Sequence, residues 1–167
     1  MKHKSLARVL ALDLHPRSFS YAVVESPGRL LDWGVRSFRR HGSSADVLAR
    51  RRLRPLFKLW RPSVVVVQSP SRMIPRIRSR YTKLIQQIAL EARSHRIPVR
   101  PERKQAQGLT KYENARLVAE QFPVLARNLP QKRKLWESED YRMGVFSAVS
   151  LARELEEAYV RFIPEQE

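Results

Sequence analysis

Residues Arg8 to Glu25 read RVLALDLHPRSFSYAVVE, an apolar run that ends on a carboxylate, turns tightly at Pro16 and returns as a second apolar run. Val9, Ala11 and Asp13 share one face of a two-residue period and Leu10, Leu12 and Leu14 the other, so the first strand is expected to be buried on both faces. A carboxylate at the end of such a strand loses hydration and must be met by a metal ion or by hydrogen-bond donors. Two readings of Asp13 follow. It is either a chemical group or a turn cap that bonds the main-chain amides of Arg17 or Ser18.

Working outward, three strands are expected over residues 8–14, 19–25 and 30–38, the second turn being Ser26-Pro27-Gly28-Arg29. A helix begins near Ser44, with Pro55 breaking or kinking it. The β-branched run from Ser63 to Gln68 marks a strand buried on both faces, pairing parallel with the first. Ile77, Tyr81, Leu84, Ile88 and Ala92 recur at helical spacing over 76–96, and a short strand, Ile97 to Arg100, follows. Thr110 and Glu113 form a capping box for a helix through Gln121, and Pro123 and Pro130 bracket another turn or two of helix. Ser138 is expected to cap a last helix over 139–162, with Glu139 and Asp140 in its first turn, where the helix dipole favours acids. The order βββαβαβαα defines an α/β chain with one domain, 1–167, and no internal repeat.

The charge narrows the partners. A formal net charge of +17 on 19.6 kDa, with a pI near 11.2, exceeds what solubility requires and calls for phosphate, a membrane or an acidic partner. No apolar run approaches the roughly 20 residues of a membrane span, and the N-terminus enters a strand rather than a signal peptide's apolar core. A soluble, cytoplasmic protein with no membrane partner is expected. Cysteine is absent, which excludes disulfides, cysteine nucleophiles and thiolate zinc sites. The cations gather in acid-poor runs: Arg36, Arg39 and Arg40 lead into Arg50, Arg51, Arg52 and Arg54, and others follow near Arg76, Arg100 and Lys132. A solvated helix face ordinarily mixes both signs, so such runs favour phosphate contact.

The stretch ALDLHPRSFSYAVVE resembles the opening hairpin of the RuvC and YqgF group of RNase H-like nucleases, in which a first strand ends in a catalytic Asp. Here His15 and Ser20 stand where that group has glycines. A strand ending D-x-G also opens the actin-like ATPases and sugar kinases, but 167 residues cannot hold their two lobes. RPSVVVVQSP resembles the RuvC family's fourth strand, with Gln68 at the place of a catalytic Glu. IPVRPERKQAQGLTKYENA matches the short strand and Lys-containing loop that come next, with Lys104, Gly108 and Lys111 as equivalents. ESEDYRMGVFSAVSLA resembles the last motif in two registers. In one, Asp140 is the first acid and Met143 stands where the second belongs; in the other, Ser147 replaces the final acid. The resemblance implies an RNase H-like mixed sheet with helices on both faces.

It also implies a chemistry. Such nucleases hydrolyse a phosphodiester with two Mg²⁺ ions roughly 4 Å apart, and Mg²⁺ is held weakly unless several carboxylates offset its dehydration. The catalytic candidates are Asp13, Gln68 and Asp140. Those for Mg²⁺ or Mn²⁺, one ion or none, are Asp13, Asp140 and Glu137. Glu139 reads as a dipole partner, His15 as an exposed turn residue and Asp32 as solvated or paired with an Arg. For phosphate contact the candidates are Arg72, Arg76, Arg80, Lys83, Lys104, Lys111, Lys132, Arg133 and Lys134, with Trp136 as a base-stacking candidate. Three function classes remain: a metal-dependent junction endonuclease, a non-catalytic nucleic-acid-binding relative, and a basic ribonucleoprotein assembly factor. The missing acids favour binding kept and cleavage weakened or lost, with DNA favoured over RNA. A homodimer is expected too, because a four-way junction has two symmetric cleavage points.

Overall fold

A computed structural model describes residues 8–38, 44–103 and 108–161. The first three strands form an antiparallel meander: β1 (Val9–His15), β2 (Ser18–Glu25) and β3 (Arg29–Ser37). Gly28 turns the chain between β2 and β3 at φ 64°, a left-handed conformation that costs glycine little. Helix α1 (Ala45–Trp60) leads to β4 (Val64–Gln68), and α2 (Pro75–Ser94) to β5 (Val99–Glu102). Then come α3 (Lys111–Gln121), a 3₁₀ segment (Pro123–Asn128) and α4 (Met143–Arg161). The sheet order is β3-β2-β1-β4-β5, with β1–β4 and β4–β5 parallel, so the sheet is mixed.

Alternation along the strands splits the core in two. Val9, Ala11, Ala22, Val24, Val64 and Val66 pack with α3 and α4. Leu10, Leu12, Phe19, Tyr21, Val23, Val65 and Val67 pack with α1 and α2 on the opposite face. Each fully buried Val or Leu side chain contributes roughly 1.5–3 kcal/mol, so the two-sided burial of β1 and β4 anchors the sheet. It also fixes register, because a one-residue slip would turn every apolar side chain to the wrong face. Asp13 is thereby held on the α4 side.

The structure departs from the expected elements in three places. Helix α1 runs through Pro55 without a break. Proline deprives the Arg51 carbonyl of its usual donor, but Arg51 is exposed and water can serve it, while Leu53, Leu56 and Phe57 bury the opposite side. Strand β5 begins at Val99 rather than Ile97, because Arg96 turns left-handed at φ 58° and the Ile97 amide closes α2 by donating to the Ala92 carbonyl at 2.9 Å. Helix α4 begins at Met143 rather than 139, so Glu139 and Asp140 precede the helix instead of occupying its first turn. The Asp140 side chain accepts from the Arg142 amide at 2.9 Å. This local bond holds 140–142 in a turn that competes with an earlier helix start.

Asp32 is half-buried, and among the described residues its side-chain partners are an indole and a phenol rather than an arginine. It accepts from Trp60 Nε1 at 2.9 Å and Tyr21 Oη at 3.2 Å, tying the end of α1 to the meander. Two of the expected phosphate-facing arginines also have structural partners: Arg50 and Arg54 both donate to the buried Glu91, locking α1 to α2. Arg36 stacks over the Tyr21 ring, 5.0 Å from its centroid. Arg39 and Arg40 lie outside the described residues.

Candidate active site and nucleic-acid interface

The parallel register sets Leu12 level with Val67, so the next step places Asp13 beside Gln68 at the carboxyl ends of two adjacent strands. Gln68 in turn pairs with Glu102 of β5, and Asp13 pairs with Ser20 of β2. One row across the sheet therefore reads Ser20, Asp13, Gln68, Glu102, all on the face that α4 covers. The Asp13 carboxylate is 18% exposed. Above it sits Gly144, in the first turn of α4. A Cβ at Gly144 would lie 3.0 Å from Asp13 Oδ2 and 2.9 Å from Ser20 Cβ, and would collide with Ser20 Oγ. Only a residue without a side chain lets the helix come this close.

Asp13 is partnered by a side chain rather than by turn amides. His15 Nε2 lies 2.9 Å from Asp13 Oδ2. Positions i and i+2 of a strand share a face, so the spacing itself carries this contact, although the turn position of His15 reads as mere exposure. The hydrogen bond to Asp13 raises the imidazole pKa above 6.5, against the opposing effect of partial burial. Lys111 and Glu139 also act on His15, in opposite directions. They form an ion pair of their own at 2.8 Å, joining the start of α3 to the chain leading into α4. Glu139, which reads in the sequence as a dipole partner, is thus within electrostatic reach of His15.

Of the residues expected in a metal centre, Asp140 is engaged by Arg142 through both carboxylate oxygens, the shorter contact being 2.6 Å. That guanidinium holds the Asp140 carboxyl below the ordinary range. Glu137 is exposed and accepts from the Lys134 amide at 2.9 Å, in the loop before α4. Among the described residues no three His, Cys, Asp or Glu side chains converge with metal-ligand spacing. Asp13 has the His15 imidazole and the Gln68 carboxamide as its neighbours, Glu102 stands one strand farther on, and Glu139 and Asp140 are paired with Lys111 and Arg142, a set that does not fit a two-ion Mg²⁺ centre. One further polar atom faces the strand ends. Tyr81 Oη, from α2, is buried beside the main chain of Gln68. Burial and the charge of Asp13 raise its pKa, while the main-chain amide of Gln68 acts the other way.

The cationic candidates surround this region unevenly. Arg72 follows β4 directly, and Arg76, Arg80 and Lys83 are exposed along the first half of α2. Arg78, from the same turn, is tied to the Met73 carbonyl at 2.7 Å. Lys111 is held by Glu139, and Lys104 lies outside the described residues. Lys132, Arg133 and Lys134 are exposed in the loop before α4, where Lys134 Nζ stands 5.5 Å from the centre of the Trp136 ring.

No family model matches the chain, and no curated protein matches it. Solved structures do. Thermus thermophilus RuvC in complex with a Holliday junction substrate superposes with a TM-score of 0.60 at 16% identity, covering 92% of this chain and 95% of that one. RuvC of the same organism in a second structure gives 0.61 at 16% identity, covering 90% and 96%. The fowlpox virus Holliday junction resolvase gives 0.55 at 11% identity, covering 91% and 99%. At such identities the likeness is one of fold: the chain has a RuvC-like form of the RNase H-like nuclease fold.

Proposed function

We propose that this chain binds branched DNA across the carboxyl ends of β1 and β4, and that its hydrolytic capacity is weakened or lost. The observation that carries this reading is the row Asp13, Gln68 beneath the start of α4. Asp13 would supply one carboxylate of a nuclease-like centre, while an uncharged amide stands beside it on the neighbouring strand. Two-ion phosphodiester hydrolysis needs carboxylates enough to hold and offset both ions. Here Glu139 and Asp140 are each neutralised by a cation of the chain itself. Binding makes no such demand. It needs exposed cations beside the strand ends, which Arg72, Arg76, Arg80 and Lys83 supply, and the excess of positive charge favours DNA generally.

Support for a branched substrate comes from the fold neighbours, since Thermus thermophilus RuvC and the fowlpox virus resolvase were each solved in complex with a Holliday junction. A homodimer belongs to the same reading, because a four-way junction presents two symmetry-related sites. Exposed Ile74 and Ile77, at the start of α2, are candidates for its interface. The test is binding and cleavage of a four-way junction and a linear duplex, with Mg²⁺ or Mn²⁺, by the wild type and Asp13→Asn. Preferential junction binding by both proteins with little cleavage is expected. Rapid turnover abolished by Asp13→Asn would show a working site and overturn the loss of catalysis; absence of DNA binding would overturn the whole reading.

A further inference from the structure

The loop between the 3₁₀ segment and α4 carries the most exposed large apolar side chains of the described residues. Leu135 is fully exposed and Trp136 80% exposed, with Tyr141 at 72% nearby. This exposure is built rather than incidental. The Glu137 amide donates to the Lys134 carbonyl at 3.1 Å, closing a four-residue turn with Leu135 and Trp136 at its tip. Glu137 Oε2 accepts from the Lys134 amide at 2.9 Å, and Arg133 donates to the Glu137 carbonyl at 3.0 Å. Three hydrogen bonds thus hold the base of the turn while its two central side chains stand in water. Glu139, whose pair with Lys111 acts electrostatically on His15, follows Trp136 by three residues, at most about 11 Å of extended chain. The turn therefore lies in the segment that leads into the start of α4, where Gly144 stands against Asp13.

We propose that Leu135 and Trp136 form a base-stacking wedge that engages unpaired or unstacked bases, such as those at a branch point. The inference rests on the DNA-binding reading above. An indole offers a flat face to any base, and stacking of this kind needs no sequence match. Lys132, Arg133 and Lys134 flank it with charge for the adjoining phosphates, and Lys134 already lies over the indole. An anionic membrane is the competing partner for a basic turn with an apolar tip. Interfacial anchors, however, bury a broad apolar face, whereas the apolar tip here is two residues wide, with Tyr141 exposed nearby and Lys132, Arg133 and Lys134 directly beside it.

The experiment measures affinities for a four-way junction, a short single strand and a linear duplex at one salt concentration. It compares the wild type with Trp136→Ala and Trp136→Phe, and places 2-aminopurine at the branch point as a stacking reporter. Trp136 packs in no core, so the variants should melt as the wild type does. Trp136→Ala is expected to weaken junction and single-strand binding about tenfold while changing duplex binding less than about twofold, and to abolish the 2-aminopurine change; Trp136→Phe should retain most of both. Equal losses on all three DNAs, or no loss, would overturn the wedge and leave DNA binding standing. Failure of the wild type to bind any DNA would overturn both. Binding of phosphatidylserine vesicles that requires Trp136, with DNA affinities unchanged, would reassign the turn to membranes.

Discussion

Gly144 of α4 stands so close to Asp13 that a single added methyl group would reach within 3.0 Å of the carboxylate while overlapping Ser20. The helix start and the strand end are packed as one unit. Alanine is the better helix former by about 1 kcal/mol, so an unconstrained Gly144→Ala change would stabilise the chain. Overpacking a tight contact costs about 1–3 kcal/mol, and Ser20 Cβ cannot rotate away. Gly144→Ala should therefore destabilise on balance, lowering the melting temperature by about 2–4 °C or more. A melting temperature at or above that of the wild type would mean that α4 sits farther from β1 than described.

Glu91 is the most deeply buried charge of the described residues, and its two arginine partners explain why it is tolerated. Burial alone pushes its carboxyl up, but hydrogen bonds from Arg54 and Arg50 more than offset this and leave the pKa below 4.5. A depressed folded-state pKa gives stability that is complete above the unfolded value and is lost as pH falls through the folded one. Glu91→Gln should cost about 1–3 kcal/mol at pH 7. The lower part of that range is expected, because Arg54 is half exposed and water can rehydrate it. Denaturant melts of both proteins should converge as pH falls below about 4.5, and a difference independent of pH would assign the effect to packing instead.

The fold was legible because its signals are long and redundant: the Val64–Val67 run, the 3.6-residue period of α2 and the Thr110 capping box each specify an element locally. The site was legible only in part. Asp13 and Gln68 stand at strand ends that the apolar pattern itself defines. Asp140 and Glu139 belong to a segment whose shape is set by side chains bonding far or near, Lys111 in one case and Arg142 in the other. No periodicity encodes such contacts, and the helix start moved four residues as a result. The arginine-rich run of α1 misled for a related reason, since Arg50 and Arg54 answer to Glu91, about forty residues away in sequence and visible only once α1 and α2 are packed together.

His15 offers a direct test of the strand-end geometry. Its hydrogen bond to Asp13, aided by the aspartate's charge, raises the imidazole pKa above 6.5 although partial burial acts to lower it. A raised folded-state value means that protonated His15 contributes stability that is complete below the unfolded pKa and fades as pH climbs through the folded one. NMR titration of the imidazole should place the wild-type midpoint above 6.5. In Asp13→Asn the charge is gone and burial remains, so the midpoint should fall to the unperturbed value or below it. An unchanged midpoint would separate His15 from Asp13.

Electrostatics supplies the most general check on the proposed interface. Arg72, Arg76, Arg80 and Lys83 are exposed and carry no ion pair with a described acid. Each phosphate they neutralise releases counterions, worth about 0.9 logarithmic units of affinity per tenfold change in salt on duplex DNA. If all four make contact, the slope of log affinity against log salt should be about −3.6 or steeper. Replacing Arg76 and Arg80 together by Ala should flatten it by about 2. Arg50→Ala supplies the contrast, because that guanidinium is occupied by Glu91: it should lower stability and leave the slope where it was. A slope insensitive to Arg76 and Arg80 would move the DNA off the α2 face, toward the loop that carries Lys132, Arg133 and Lys134.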